Sequence, residues 1–119
     1  MSTTHPLAGT NLAVLVGVLS RDAEARTLPS GDHLVALELT IRPAEGPTDT
    51  VPVAWPDAPA EASAWEAGEE LLVTGRVRRR YFRAGGATQS RTEVVADRVV
   101  PTRRAATATR AVEAALGRL

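Results

Sequence analysis

The chain has 119 residues, 44% of them hydrophobic, no cysteine, and 14 basic residues balanced by 14 acidic ones. A chain of this length makes one domain that can bury roughly two-thirds of its unfolded surface without staples. The lack of cysteine removes disulfides, thiol nucleophiles and thiolate metal sites.

The start, Met1-Ser2-Thr3-Thr4-His5-Pro6, has neither the basic nor the apolar segment of a secretory signal, and residues 1–9 read as a flexible N-terminus. No apolar run approaches the ~18 residues needed to span a bilayer, so a soluble cytoplasmic protein with no membrane partner is expected. From Asn11 to Leu19, Leu12, Val14, Val16 and Val18 alternate on one face, with Leu15 and Leu19 on the other. This is a strand apolar on both sides. Gly17 within it marks a bulge or sharp bend.

Arg21-Asp22-Ala23-Glu24 reads as a turn, and Leu28-Pro29-Ser30-Gly31 is a strong turn signal. A second strand, His33 to Arg42, sets Val35, Leu37, Leu39 and Ile41 on one face. Pro43 to Pro47 is a loop, and Asp49 to Trp55 is a short third strand whose Pro52 argues for an edge or a bulge. Pro56 to Trp65 reads as a short helix started by proline and acids. Glu70 to Arg80 is the fourth strand. Ser90 to Val100 is the fifth, with Val95 and Val99 in one phase and Val94 and Val100 in the other; Arg83 to Gln89 joins the two as a long hairpin loop. The order predicts an all-β domain over 10–102: a five-stranded Greek-key barrel of OB type with one short helix between strands three and four. Residues 103–119, Ala-rich with Val112, Leu116 and Leu119 at helical spacing, predict a C-terminal helix.

The zero net charge hides an asymmetry. Residues 76–110 hold ten arginines against two acids, Glu93 and Asp97, whereas residues 1–75 hold three arginines against eleven acids. Within the basic half, Arg76, Arg78, Arg80 and Phe82 share one face of the fourth strand by the period of two. A row of guanidinium groups ending in a ring can follow a phosphate chain while a base stacks on the ring, the usual way to hold single-stranded nucleic acid. Arg83 and Arg91 extend the basic surface. Tyr81 has the opposite parity and is either a second stacking platform or a plug at the barrel end. Trp55 sides with Val51 and Val53 and, like Trp65, reads as core.

Catalytic candidates are thin. His5 and His33 have no third ligand at metal spacing, the acids fall in turns and strand starts, and Gly85-Gly86 lacks the strand-to-helix context of a phosphate loop. No enzyme, metal or cofactor is expected.

Several segments together resemble the bacterial single-stranded DNA-binding protein family. They are Asn11 to Gly17, Leu28 to Gly31, Trp65-Glu66-Ala67-Gly68-Glu69, Val73-Thr74-Gly75-Arg76-Val77-Arg78 and Thr92-Glu93-Val94-Val95-Ala96-Asp97. The resemblance implies an OB fold, binding of single-stranded DNA with little sequence preference, no catalysis, and work at the nucleoid in replication, repair or recombination. It also implies homo-oligomers, dimers or tetramers, assembled through the first strand at Asn11, Ala13 and Leu15. It carries over Arg78, Arg80 and Phe82 as contacts to nucleic acid. The chain departs from the family in having no ring at the further stacking positions around Arg42 to Thr50, and in ending Leu116-Gly117-Arg118-Leu119 rather than in an acidic tip. The alternatives are an RNA-binding domain, since stacking and phosphate contacts do not read the 2′-hydroxyl, and a protein-interaction module whose arginine face meets an acidic neighbour.

Overall fold

Alternation of apolar and polar residues dominates the chain, and the computed structural model, which describes residues 8–119, turns it into strands. They are β1 (Ala13–Leu19), β2 (Glu24–Thr27), β3 (His33–Ile41), β4 (Asp49–Pro56), β5 (Glu70–Ala84) and β6 (Ala87–Pro101). A 3₁₀ turn (Ala60–Ala64) lies between β4 and β5, and one helix, α1 (Ala105–Leu116), follows β6. The residues expected to form the flexible start lie, up to residue 7, outside the described part of the chain.

The six strands form one sheet in the order β1-β5-β6-β4-β3-β2, and a further pairing of β1 with β3 closes it into a ring. All neighbours are antiparallel except β4 and β6, which run parallel at Val53↔Val94 and Ala54↔Val95. Closure depends on Gly17. Along β1 the ladder runs with β5 from Ala13↔Gly75 to Val18↔Glu70, and β3 joins at Val18↔Thr40 and Leu19↔Leu39. A Cβ at Gly17 would stand 2.9 Å from both Ile41 Cγ1 and the Thr40 carbonyl oxygen, so only glycine lets β1 cross β3 this closely.

Inside the ring pack Leu19, Val35, Leu37, Leu39, Val53, Leu71, Val73, Val94, Ala96 and Val99, the core that alternation predicts for β3 and β4. Trp55 and Trp65 close one end of it, stacked with ring centroids 5.9 Å apart. A second, smaller cluster lies on the outer face, where Ala108, Ala111 and Val112 of α1 cover Leu72 and Val100. Alanine's high helix propensity lets α1 form, and its small side chains let it lie close to the sheet.

Four expectations are corrected. There are six strands, not five, because β2 forms a hairpin with β3 (Glu24↔Ala36 to Thr27↔His33) around the Leu28-to-Gly31 turn, where the Gly31 N–H donates to Leu28. All four residues of β2 are exposed, so no apolar alternation announces it. The hairpin connection at Arg83 to Gln89 is not a long loop: Gly85 and Gly86, at φ +58° and +79°, make a two-residue turn and the ladder continues to Ala84↔Ala87. Positive φ at both central positions is what a primed hairpin turn demands, and glycine meets it without strain. The element between β4 and β5 is a single 3₁₀ turn rather than a ten-residue helix, entered from Pro59 in extended conformation.

The fourth correction concerns the phase of β6. Opposite Thr74 and Gly75 the register slips, so that Thr74 pairs with Arg98 and Gly75 with Ala96, leaving Asp97 as the extra residue of a bulge. Val94 and Val99 therefore both face the core, although their odd spacing puts them in different phases of a regular strand. The bulged backbone crowds Gly75, where a Cβ would lie 2.1 Å from the Val95 carbonyl oxygen. Gly75→Ala is expected to cost about 1–3 kcal/mol, the usual range for overpacking, and thermal unfolding followed by circular dichroism should show the lowered Tm.

Candidate nucleic-acid interface

The hairpin of β5 and β6 is longer than the ring, and its distal half sorts the predicted residues by face. Arg76↔Val95, Arg78↔Glu93, Arg80↔Arg91 and Phe82↔Gln89 are paired on the outer face. Val77↔Val94, Arg79↔Thr92, Tyr81↔Ser90 and Arg83↔Thr88 alternate with them on the other. Arg78, Arg80, Phe82 and Arg91 are thus brought together, while Tyr81 and Arg83 point away. The Arg83 guanidinium donates to the Gly86 carbonyl oxygen across the turn at 2.9 Å. Tyr81 is 66% exposed, which rules out a plug.

Arg78, Arg80, Arg91 and Glu93 form one wall of a groove of about 260 Å³. Arg21, Asp22, Glu24, Arg26 and Leu28, from β2 and the segments on either side of it, form the opposite wall, and Leu34, Ala36, Pro52 and Ala54 of β3 and β4 lie on the floor. The floor carries no ring, as the sequence of the Arg42 to Thr50 region and the inward turn of Trp55 require. Arg76 does not join this groove. It lines a neighbouring recess with Asn11, Leu12, Val95, Asp97, Arg118 and Leu119.

Pairing within the groove is uneven. Glu93 is buried, 6% exposed, and its carboxylate accepts from Arg78 Nη2 at 2.6 Å and lies 3.5 Å from Arg80 Nε. Burying a carboxylate is costly without such partners, and here one carboxylate serves two arginines. Arg80 also lies over the Phe82 ring, 5.4 Å from its centroid, a cation–π contact that covers one face of the ring. The Arg78 Nε–H is buried with no hydrogen-bond partner. Arg91 faces Arg80 directly, a destabilising juxtaposition of like charges, and takes part in none of the ion pairs among the described residues. On the other wall Arg21 pairs with Glu38 and Arg26 with Glu24, both solvent-exposed pairs. Such pairs are worth about 0–1 kcal/mol and break readily.

Sequence reasoning missed Arg21 and Arg26, whose segment carries no apolar pattern, and gave Glu93 no role in the site. The residues expected at an interface on the first strand all have contacts within the chain. The Asn11 side chain is tied to β5, with Nδ2 donating to the Val77 carbonyl oxygen at 2.7 Å and Oδ1 accepting from the Val77 N–H at 2.9 Å. Ala13 and Leu15 pack against the core. The apolar residues that β1 leaves outside are Val14 and Val16, 37% and 49% exposed. Among the described residues no group of three or more metal-ligating side chains occurs, and no helix is long and apolar enough to cross a membrane; His5 lies outside them.

Comparison with known proteins returned neither a matching family model nor a matching curated protein.

The two kinds of ring make opposite demands on stability. Tyr81→Ala is expected to change the unfolding free energy by less than about 0.5 kcal/mol, whereas Trp55→Ala, which empties part of the core, should cost about 3 kcal/mol. Chemical denaturation of the two variants checks both.

Proposed function

We propose that the protein is a non-catalytic binder of single-stranded DNA built on an OB-type Greek-key barrel. The observation that carries this reading is the groove that sets Arg78, Arg80 and Arg91 opposite Arg21 and Arg26 across the faces of β3 and β4, with the Phe82 ring next to Arg80 on the same face of β5. The strand order, with its β1–β3 closure and parallel β4–β6 contact, suits that fold, and OB domains bind oligonucleotides on the face of their second and third strands, between flanking loops. With β2 counted as part of the first hairpin, β3 and β4 are those strands here. Guanidinium groups hold the phosphates, and the open face of Phe82 offers a base one place to stack. Phosphate contacts read no sequence, which supports the expected lack of preference. Work in replication, repair or recombination at the nucleoid belongs to the same proposal, through the resemblance of the motifs.

Charge dominates because rings are few. The cluster of Arg78, Arg80 and Arg91, less the one charge that Glu93 offsets, amounts to two neutralised phosphates. The slope of log K against log salt should then be roughly −0.7 × 2, or about −1.4, a fall of about sevenfold between about 50 and 200 mM. Anisotropy of labelled oligo-dT is the measurement to use, since both tryptophans pack against the core and neither lines the groove. Binding to oligo-dT no tighter than to duplex of equal length in low salt would reject the proposal, and tighter binding to oligo-rU would redirect it to RNA.

Self-association through the first strand belongs to the same proposal: beside Asn11, Ala13 and Leu15, which the resemblance implies, the exposed Val14 and Val16 of β1 offer an apolar surface between copies. Sedimentation at tens of micromolar should give a mass above 12.6 kDa, and Val16→Asp should return it to the monomer.

A further inference from the structure

Glu93 is the one buried carboxylate on the groove, and it faces the same guanidinium groups that a phosphate would approach. Its carboxylate spans Arg78 and Arg80, at 2.6 and 3.5 Å, in the way one phosphate can take hydrogen bonds from two arginines. A core reason for an acid there is weak, because its side chain lies on the outer face, away from the ring interior, and the cross-strand partner that buries it is itself a cation. The local charge is also unbalanced in a telling way. Three arginines, Arg78, Arg80 and Arg91, converge on this wall, and Glu93 neutralises one charge of the three.

We propose that Glu93 is an internal phosphate mimic: it occupies Arg78 and Arg80 in the unbound protein and competes with the nucleic-acid backbone for them, lowering affinity for polyanions in general. Resting on the single-stranded DNA reading above, it adds a regulator of affinity to that site. Binding proceeds by exchange, the incoming phosphate taking the Nη2–H of Arg78 while the carboxylate retreats to Arg80 or to water. The buried, unpartnered Nε–H of Arg78 gives the phosphate a second donor on the same guanidinium, which the carboxylate leaves unused.

The test is Glu93→Gln, which keeps the size of the side chain and an acceptor oxygen but removes the charge. Binding of labelled oligo-dT and of inorganic polyphosphate is measured for both proteins across a salt series, with circular dichroism as the control for folding. The variant should bind oligo-dT more tightly, by about eightfold at 50 mM salt and threefold at 200 mM, and its slope should steepen by about 0.7, the effect of one more neutralised phosphate. Unchanged or weaker binding by a folded variant overturns the proposal and makes Glu93 a residue that positions the arginines. If Glu93→Gln does not fold, Arg78→Gln and Arg91→Gln in the natural chain decide: Arg91→Gln should flatten the slope by about 0.7 and Arg78→Gln by less than half of that, and equal losses overturn the proposal. Two probes separate the two readings. Tightened polyphosphate binding with no oligo-dT binding by either protein leaves the role of Glu93 standing and removes the DNA reading. Failure of both proteins on both probes removes both.

Discussion

Everything on the distal hairpin depends on the contact between Gly75 and the bulged backbone of β6. Asp97 is one residue too many for the ladder, and its insertion changes which side chains of β6 face inward. Below the bulge Val99 points into the ring; above it Val94 and Ala96 do. Without the extra residue, a strand that places Val94 inside would turn Arg98 inside as well and Val99 out. The bulge is possible because the residue opposite it has no side chain, and Thr74 fixes the looped-out Asp97 by donating its hydroxyl to the carboxylate at 2.6 Å. Arg118 at the end of the chain reaches the other oxygen at 3.0 Å. The same stretch thus anchors the core phase, the outer face on which α1 packs, and the parity that places Arg91 and Glu93 on the outer side, against Arg80 and Arg78 of β5.

Beyond Val94 on the distal hairpin the energetics change in kind. Below it, burial of Leu71, Val73 and Val99 stabilises the ring, at about 25 cal/mol for each Å² of apolar surface removed from water. Above it the paired residues are charged, and their interactions are modest except at Glu93. The exposed ion pairs of β2 contribute about 0–1 kcal/mol each. A buried carboxylate stripped of its partners would cost several times that, so Arg78 and Arg80 are held to Glu93 far more firmly than Arg21 is to Glu38 or Arg26 to Glu24. The two walls of the groove are therefore unlike: one is set by a buried charge, the other can rearrange at little cost.

Much of the fold was legible because most strands announce themselves by alternation. The inward rows of β3 and β4, the core placement of Trp55, the C-terminal helix and the need for glycine at position 17 all follow from period and residue type. What was not legible has a common physical cause, the lack of apolar residues at the positions concerned. β2 is exposed throughout, and β5 and β6 beyond Val77 and Val94 are held by backbone hydrogen bonds and a two-glycine turn rather than by a core. The bulge was illegible for a different reason: an inserted residue breaks the period on which the inference rests, which is why the two valine phases of β6 could not be assigned. On the candidate site, parity alone grouped Arg76, Arg78, Arg80 and Phe82, yet it could not see that Arg76 opens onto another recess or that Arg80 covers a face of the ring.

The charge asymmetry of the chain takes on a different meaning in three dimensions. Along the sequence, acids crowd the first 75 residues and arginines the next 35. In space the β2 segment, which belongs to the acidic part, lies across the groove from the arginine hairpin, so Asp22 and Glu24 share a groove with Arg78, Arg80 and Arg91. Opposite charges lining one groove offset part of each other's field. A polyanion entering the groove therefore meets a field weaker than the arginine count suggests, with attraction concentrated on the hairpin wall and at the two arginines of β2 and its approach. The positive charge of the groove is thus concentrated on the hairpin wall, while the opposite wall mixes Arg21 and Arg26 with Asp22 and Glu24.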